Sequence, residues 1–161
     1  FYSIKYLVYK KIEDDIKASS SVELGLLFCI LATITGSIFA KLAWGSFWNW
    51  DPREVSIFLL LIIYGAYFSL RSSVKEEGKK ASLTAVYAIL AFITVPFLVF
   101  VIPRITPSLH PSPLIGGETN GMERSMVIIL SLSLIAFSGI FLWMFNLKVA
   151  IERIRRNKRR L

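Results

Sequence analysis

Three tryptophans and a carboxylate stand together in one short segment of the sequence, "AWGSFWNWDPRE". Trp44, Trp48 and Trp50 fall within seven positions, and Asp51 follows directly. Clustered indole rings form a polarizable apolar platform, which suits a large planar ligand held by stacking and burial. His110, in "SLHPSPL", is the only histidine of the chain, and neutral imidazole is a common metal ligand. These residue types indicate a ligand site if the fold brings the two segments together.

Each of these features also has a structural explanation. Tryptophan is enriched at the headgroup level of membranes, and Trp143 fits such an interfacial belt. A belt needs one or two rings at a helix end, so the three rings around Trp48 favour a ligand platform. A single histidine such as His110 is often only exposed polar surface. Asp51 is well placed as the N-cap of a helix, with Glu54 completing a capping box.

The composition assigns the chain to the membrane-protein class. Of the 161 residues, 55% are hydrophobic and 19% are charged, and the mean hydropathy is +0.60. The apolar residues form runs near the roughly 20 residues that a helix needs to cross the hydrocarbon core. We therefore predict an all-α, polytopic membrane helical bundle, with a kink at Pro96. Its four transmembrane helices are predicted at residues 22–44, 53–71, 81–102 and 124–147.

The distribution of basic residues predicts how these helices are oriented. Segments 1–21 and 71–80 hold four Lys and Arg residues each, and the tail 148–161 holds seven of the nineteen. By the positive-inside rule, both termini and the 71–80 connection face the cytoplasm. The tryptophan loop at 44–52 and the histidine loop at 103–123 then share the external face.

Several function classes are excluded or disfavoured. The net charge of +8 is explained by cytoplasmic loops at the lipid surface, and we expect no nucleic-acid partner. The single cysteine, Cys29, cannot form an internal disulfide or a CxxC site. The sequence has no GxxxxGK phosphate-binding loop and no HExxH zinc motif. The predicted helices carry no ionisable group at their centres, where a proton or ion pathway would normally place one.

An aromatic platform and one imidazole on the same membrane face point to haem. Imidazole is a common axial ligand of haem iron, and His110 can fill one of the two axial positions. The second axial ligand must then come from sequence outside this chain, from a partner or from solvent.

The tryptophan segment also resembles a known signature. "WGSFWNWDPRE" is similar to the WWD motif, roughly WGxxWxWD, of the haem-handling proteins of c-type cytochrome assembly. The similarity continues through "VPFLVFVIPRITPSLHP", covers roughly residues 20–115 and is strongest to the CcmC and CcsA branches. By motif matching, the family's second ligand histidine falls on His110. The WWD signature falls on Trp44, Gly45, Trp48, Trp50 and Asp51.

The resemblance implies a function. Members of this family present haem b at the outer face of the membrane, between the tryptophan loop and two axial loop histidines. CcmC-type members load haem onto a periplasmic haem chaperone, and CcsA-type members help a large partner to attach haem to apocytochrome c. We therefore expect one haem-handling domain over residues 1–161, in the bacterial inner (plasma) membrane, that works with the chaperone and other maturation proteins. Delivery is favoured over catalysis, with a CcsA-like role in a haem-lyase complex as the enzymatic alternative.

Two departures from the family pattern affect these expectations. The family's first external histidine would precede the tryptophan loop, after the first of about six helices, and this chain has no histidine there. A chain that lacks its first helix and most of its second explains this, and the opening stub "FYSIKYLVY" fits that expectation. The family's double tryptophan before the second histidine is replaced by "PRITPSLH".

Two interpretations without haem remain as alternatives. A membrane transporter or permease subunit for another small aromatic molecule would use the tryptophan loop but gain nothing from His110. A structural membrane subunit would use the loop only for interfacial anchoring. A haem spectrum that depends on His110 separates haem binding from the transporter, and a structural role predicts that substitutions in the loop affect stability only.

Overall fold

The computed structural model describes residues 1–110 and 124–160, and in that part of the chain all regular structure is helical. The helices are α1 Tyr2–Tyr9, α2 Ile12–Trp44, α3 Pro52–Ser73, α4 Glu77–Pro96, α5 Ile102–Ile105 and α6 Arg124–Arg160. Four helical runs in the described residues are long and apolar enough to cross a membrane: α2, α3, the α4–α5 run and α6. The prediction of an all-α protein with four transmembrane helices is therefore confirmed.

The described chain forms two compact units. The first, Phe1–Leu109, contains α1 to α5, and the second, which begins at His110, contains α6. A small core of the first unit lies where Tyr6 of α1 packs against Ala81 and Ala85 of α4. Most other large apolar side chains of the membrane-spanning helices are exposed in the protein alone, as expected for surfaces that face lipid.

Several helix boundaries differ from the sequence prediction, most of all at the two ends of the chain. Helix α2 begins at Ile12, ten residues before the predicted start. Residues 12–21 are too polar to resemble a membrane span, but the acidic residues of the first turn suit a helix N-terminus. Helix α6 continues to Arg160, because its basic tail contains good helix formers and no glycine or proline. The opening stub is itself a helix, α1.

At Pro96, where the sequence predicts a kink, the helix changes type. Helix α4 ends at this proline, and the next residues, Phe97–Val101, are π-helical. Proline lacks an N–H and clashes with the preceding turn, so the regular hydrogen-bond ladder cannot continue through it. The chain returns to α-helix until Ile105, and the predicted histidine loop therefore begins at Thr106. Its residues 111–123 lie outside the described part.

A buried ion pair joins three helices at the end of the first unit that is remote from the tryptophan loop. The two Arg71 guanidinium nitrogens Nη1 and Nη2 donate to the two carboxylate oxygens of Asp15, each at 2.9 Å. Arg71 Nη1 also donates to Thr84 Oγ1 at 3.1 Å. Because Asp15 is only 4% exposed, this bidentate contact holds α2 against α3, and the bond to Thr84 adds α4.

Candidate functional site

The tryptophan loop begins where α2 ends, at Trp44. Gly45 adopts the left-handed conformation, with φ 82°, and its N–H donates to the Lys41 carbonyl at 3.1 Å. The Gly45 carbonyl accepts a hydrogen bond from Lys41 Nζ at 2.8 Å. A helix C-cap of this kind favours glycine, because a Cβ is strained at positive φ. Gly45 therefore contributes to the site by ending α2 and turning the chain.

Side chains within the loop hold its backbone in place. Ser46 Oγ donates to the Trp48 carbonyl at 2.9 Å, and Asn49 Nδ2 donates to the Ser46 carbonyl at 3.2 Å. The Asn49 N–H donates to Glu54 Oε2 of α3 at 2.7 Å. These bonds pair backbone groups that irregular structure would otherwise leave unsatisfied. The indole rings are therefore carried on a well-defined backbone.

The aromatic rings of the loop meet edge to face. The Trp48 and Trp50 ring centroids are 5.9 Å apart with their planes at 89°, and Trp48 also contacts Phe58 of α3 at 6.3 Å and 76°. Trp44 packs against Phe39 of α2 at 5.7 Å and 87°. Edge-to-face contacts are favoured because the positive ring edge meets the negative ring face. The cluster is thus a set of crossed rings, and it differs from the continuous flat platform that the sequence suggests.

Trp50 has an unusual backbone conformation. Its φ is 56°, in the left-handed region, and its side chain is 74% exposed. A bulky non-glycine residue is rarely found there, and such a conformation costs about 1–3 kcal/mol. A strained residue whose large apolar ring is exposed, and is not used to fill a core, is typical of a functional position.

Asp51 connects the tryptophan loop with the first residues of the histidine loop. It is the N-cap of α3: Oδ1 accepts from the Arg53 N–H at 2.9 Å, and Glu54 completes the predicted capping box. Its second oxygen, Oδ2, accepts from Ser108 Oγ at 2.8 Å and from the Leu109 N–H at 2.7 Å. Asp51 is only 3% exposed, so both oxygens are used inside the protein.

His110 directly follows Leu109 in the chain and lies, half-buried, in a bend. The hydrogen bonds to Asp51 therefore fix the backbone of the histidine loop up to the residue before the imidazole. Of the residues predicted from the sequence, the structure brings Trp48, Trp50 and Asp51 together at the N-terminus of α3. Trp44 and Gly45 stand at the end of α2 and form the other side of the same loop.

The sequence prediction missed the partners Ser108 and Leu109. Only an indirect signal was present: an N-cap aspartate uses one oxygen for the helix, which leaves the other to be satisfied elsewhere when the residue is buried. The sequence does not show that Asp51 is buried, and the Leu109 partner is a backbone N–H, which no residue type reveals.

The donor groups fit haem better than a bare metal ion. In the described residues, no three His, Cys, Asp or Glu side chains are grouped as a metal ion would require. Haem requires less of a protein, because the porphyrin supplies the equatorial ligands and only axial positions remain for side chains. One imidazole and a group of apolar rings are the kinds of residue that such a ligand uses.

Comparison with known proteins gives the family. The family model described as heme exporter protein C, or CcmC, matches residues 1–161. The chain belongs to this family. Together with the four apolar helices, this makes it an integral membrane protein. The resemblance inferred from the WWD motif and the His110 segment is confirmed.

Individual relatives come from both the CcmC and the CcsA branches, to which the tryptophan segment is similar. Heme exporter protein C of Bradyrhizobium diazoefficiens is 26% identical over 159 residues, which cover 99% of this chain and 60% of that protein. Cytochrome c biogenesis protein CcsA of Cuscuta reflexa is 29% identical over 111 residues, 68% of this chain and 35% of the relative. CcsA of Phaseolus vulgaris is 36% identical over 83 residues, 51% of this chain and 25% of the relative. The chain thus spans less than two thirds of the length of each of these relatives.

Proposed function

We propose that this membrane protein binds haem at the outer face of the membrane and delivers it for cytochrome c maturation. The family match and the names of the relatives, heme exporter protein C and cytochrome c biogenesis protein CcsA, support haem handling. The observation that carries the site is the hydrogen-bonded link from Asp51 to Ser108 and Leu109. This link ties the tryptophan loop to the segment that leads into His110.

Each part of the proposed site has its own task. The exposed Trp50 ring stacks on haem, while Trp48, packed on Phe58, supports it from the side of α3. Trp44 and Gly45 close the other end of the loop. His110 binds the iron through neutral imidazole as one axial ligand.

Such a site presents haem without modifying it. The cargo is haem b, held only by stacking and by axial ligation, so it can leave for a partner. The covalent attachment belongs to the partner or to haem itself, and the chain supplies binding and orientation. The second axial ligand comes from sequence beyond this chain, from a partner or from solvent.

The proposed location follows from charge and chemistry. The basic residues concentrate in segments 1–21, 71–80 and 148–161, which supports cytoplasmic termini in a bacterial inner membrane. The tryptophan and histidine loops then face outward, where a periplasmic haem chaperone and other cytochrome c maturation proteins could receive the cargo.

Haem spectroscopy of the purified full-length protein tests this function. We expect a Soret band that is lost or shifted in His110→Ala. Replacing Trp50 by alanine should weaken haem binding about tenfold or more, because burial of a large apolar side chain contributes roughly 1.5–3 kcal/mol. Trp143→Ala is the matched control, since Trp143 of α6 is an exposed tryptophan (65%) outside the loop.

The outcomes separate the three hypotheses. No haem in any preparation, together with normal cytochrome c in a deletion strain, would overturn the proposal. Equal loss of haem in Trp143→Ala and Trp50→Ala would indicate general destabilisation by a missing interfacial ring. Binding of an aromatic compound that depends on Trp50 and is indifferent to His110 would favour the transporter alternative.

A further inference from the structure

Asp51 makes more contacts than a helix cap requires. A capping aspartate satisfies the first turn of its helix with one oxygen, as Oδ1 does here toward the Arg53 N–H. Oδ2 accepts two further bonds, and both donors lie more than fifty residues later in the chain, at Ser108 and Leu109. With the side chain only 3% exposed, the carboxylate is consumed by protein donors.

We propose that Asp51 is the positioning residue that sets His110 relative to the tryptophan loop, and that it does so without touching haem. This inference rests on the proposed function, in which His110 binds the iron. Its basis is that Asp51 is joined to the tryptophan loop and to the segment Ser108–Leu109. Its backbone follows Trp50 directly, and its side chain holds the residue before His110.

The bond to the Leu109 N–H is the decisive one for position. A hydroxyl such as that of Ser108 can rotate to another acceptor, but a backbone N–H points in one direction fixed by the chain. An acceptor for it therefore fixes where the backbone runs one residue before His110. An unsatisfied N–H at a buried carboxylate site is unfavourable, so loss of the acceptor should move this segment.

Three substitutions test separately the helix cap and the tether, by which we mean the two bonds from Asp51 Oδ2 to Ser108 and Leu109. Asp51→Ser keeps a good N-cap oxygen for the Arg53 N–H but is too short to present a second acceptor toward Leu109. Asp51→Asn keeps the shape of the side chain, but its amide nitrogen Nδ2 donates and does not accept. Either the cap or the tether therefore loses its acceptor. Ser108→Ala removes one of the two tethering bonds and leaves the cap intact.

A matched control removes a hydrogen bond from the same helix end. Ser56 of α3 is buried at 4% exposure, and its Oγ donates to the Pro52 carbonyl at 2.7 Å. Ser56→Ala therefore removes a hydrogen bond within the first turns of α3 that does not involve residues 108 and 109. If weakening this end of α3 were enough to change haem ligation or affinity, Ser56→Ala would show the same change.

The experiment measures ligation and affinity separately in the full-length protein. Electron paramagnetic and optical spectra of the ferric form report the axial ligand, and haem titration reports the dissociation constant. We expect Asp51→Ser to show the ligand-loss spectrum of His110→Ala in a large fraction of bound haem, with affinity about tenfold weaker. Ser108→Ala should show a smaller effect of the same kind, and Ser56→Ala should match the unmodified protein. Added imidazole should restore the original spectrum in both Asp51→Ser and His110→Ala.

Three results would overturn the positioning role. One is a normal spectrum and normal affinity in both Asp51→Ser and Ser108→Ala. Another is weak binding with unchanged ligation in the haem that stays bound, which would mean that Asp51 contacts haem directly. A third is an equal spectral change in Ser56→Ala. If Asp51→Ser does not accumulate, Asp51→Asn, which keeps the side-chain shape and removes one acceptor, decides together with Ser108→Ala by their spectra. In the first and third cases the unmodified protein still binds haem, so the proposed function survives; absence of haem from the unmodified protein overturns both.

Discussion

Asp51 and Trp50 are neighbours in the chain that have opposite environments. Asp51 is buried with both oxygens bonded, and Trp50 is exposed in a strained backbone conformation. The cap on α3 could be predicted, because a capping box is a local pattern of residue types. The tether to Leu109 could not, since it joins residues 58 positions apart through a backbone N–H. The left-handed Trp50 was also unpredictable, because tryptophan rarely adopts positive φ.

The left-handed conformation of Trp50 leads to a prediction that separates its backbone from its ring. Glycine tolerates φ 56°, whereas a β-branched residue does not. We expect Trp50→Val to be less stable than Trp50→Gly by about 1–2 kcal/mol, the penalty of a left-handed conformation. Thermal denaturation in detergent measures the difference.

Both variants should lose haem affinity to a similar degree, because both remove the exposed indole. Equal stability of the two variants would show that residue 50 does not need positive φ. Normal haem binding in Trp50→Gly would show that the ring is not part of the site.

At the scale of helices, hydropathy located the four membrane spans but not their full lengths. Residues 12–21 belong to α2 although they are polar, and their helix is stabilised by contacts that hydropathy does not detect. The principal one is the bidentate pair between Asp15 and Arg71, which also reaches Thr84. Which acidic residue pairs with which basic residue depends on how the helices pack, so this pair cannot be predicted from a single sequence.

Removing Arg71 should destabilise the helix bundle strongly. Arg71→Ala leaves the buried Asp15 carboxylate without its guanidinium, and breaking a buried pair in this way costs about 3–5 kcal/mol. Arg71→Lys should lose less stability, because it keeps the charge but not the bidentate geometry. Thermal unfolding of the purified protein, followed by loss of the monodisperse chromatographic peak, is the measurement.

A surface ion pair provides the control for this prediction. Lys17→Ala removes the partly exposed pair with Glu13, which spans 3.4 Å within one helix, and should change stability by less than about 1 kcal/mol.

Arg71 lies some twenty residues along α3 from Asp51, roughly 30 Å on a helix. Haem that remains bound to Arg71→Ala should therefore keep its spectrum. A changed axial ligand in that variant would contradict the separation of the ion pair from the site.

At the scale of the whole molecule, the up-and-down run of α2, α3 and the α4–α5 helices brings the tryptophan loop and the segment Ser108–Leu109 to one end of the first unit. Helix α3 begins at Pro52 and the α4–α5 run ends at Ile105, so residues 51 and 108 can meet. Counting spans predicts this pairing of loop ends from the sequence. The distribution of charge predicts which membrane face the tryptophan loop occupies. The connection after α3 is basic and contains Lys75, whereas the loop before α3 contains Phe47 and tryptophans, so the positive-inside rule predicts that the loop before α3 is external.

The proposed orientation predicts a definite pattern of cysteine labelling. In a Cys29→Ser background, which removes the single cysteine of these 161 residues, Phe47→Cys and Lys75→Cys each introduce one thiol at an exposed position. A membrane-impermeant maleimide should label Phe47→Cys in intact spheroplasts and Lys75→Cys only after permeabilisation. The reverse pattern would place the tryptophan loop in the cytoplasm, where delivery to a periplasmic chaperone is impossible. Haem binding that depends on His110, combined with that reverse pattern, would retain the site and overturn the direction of delivery.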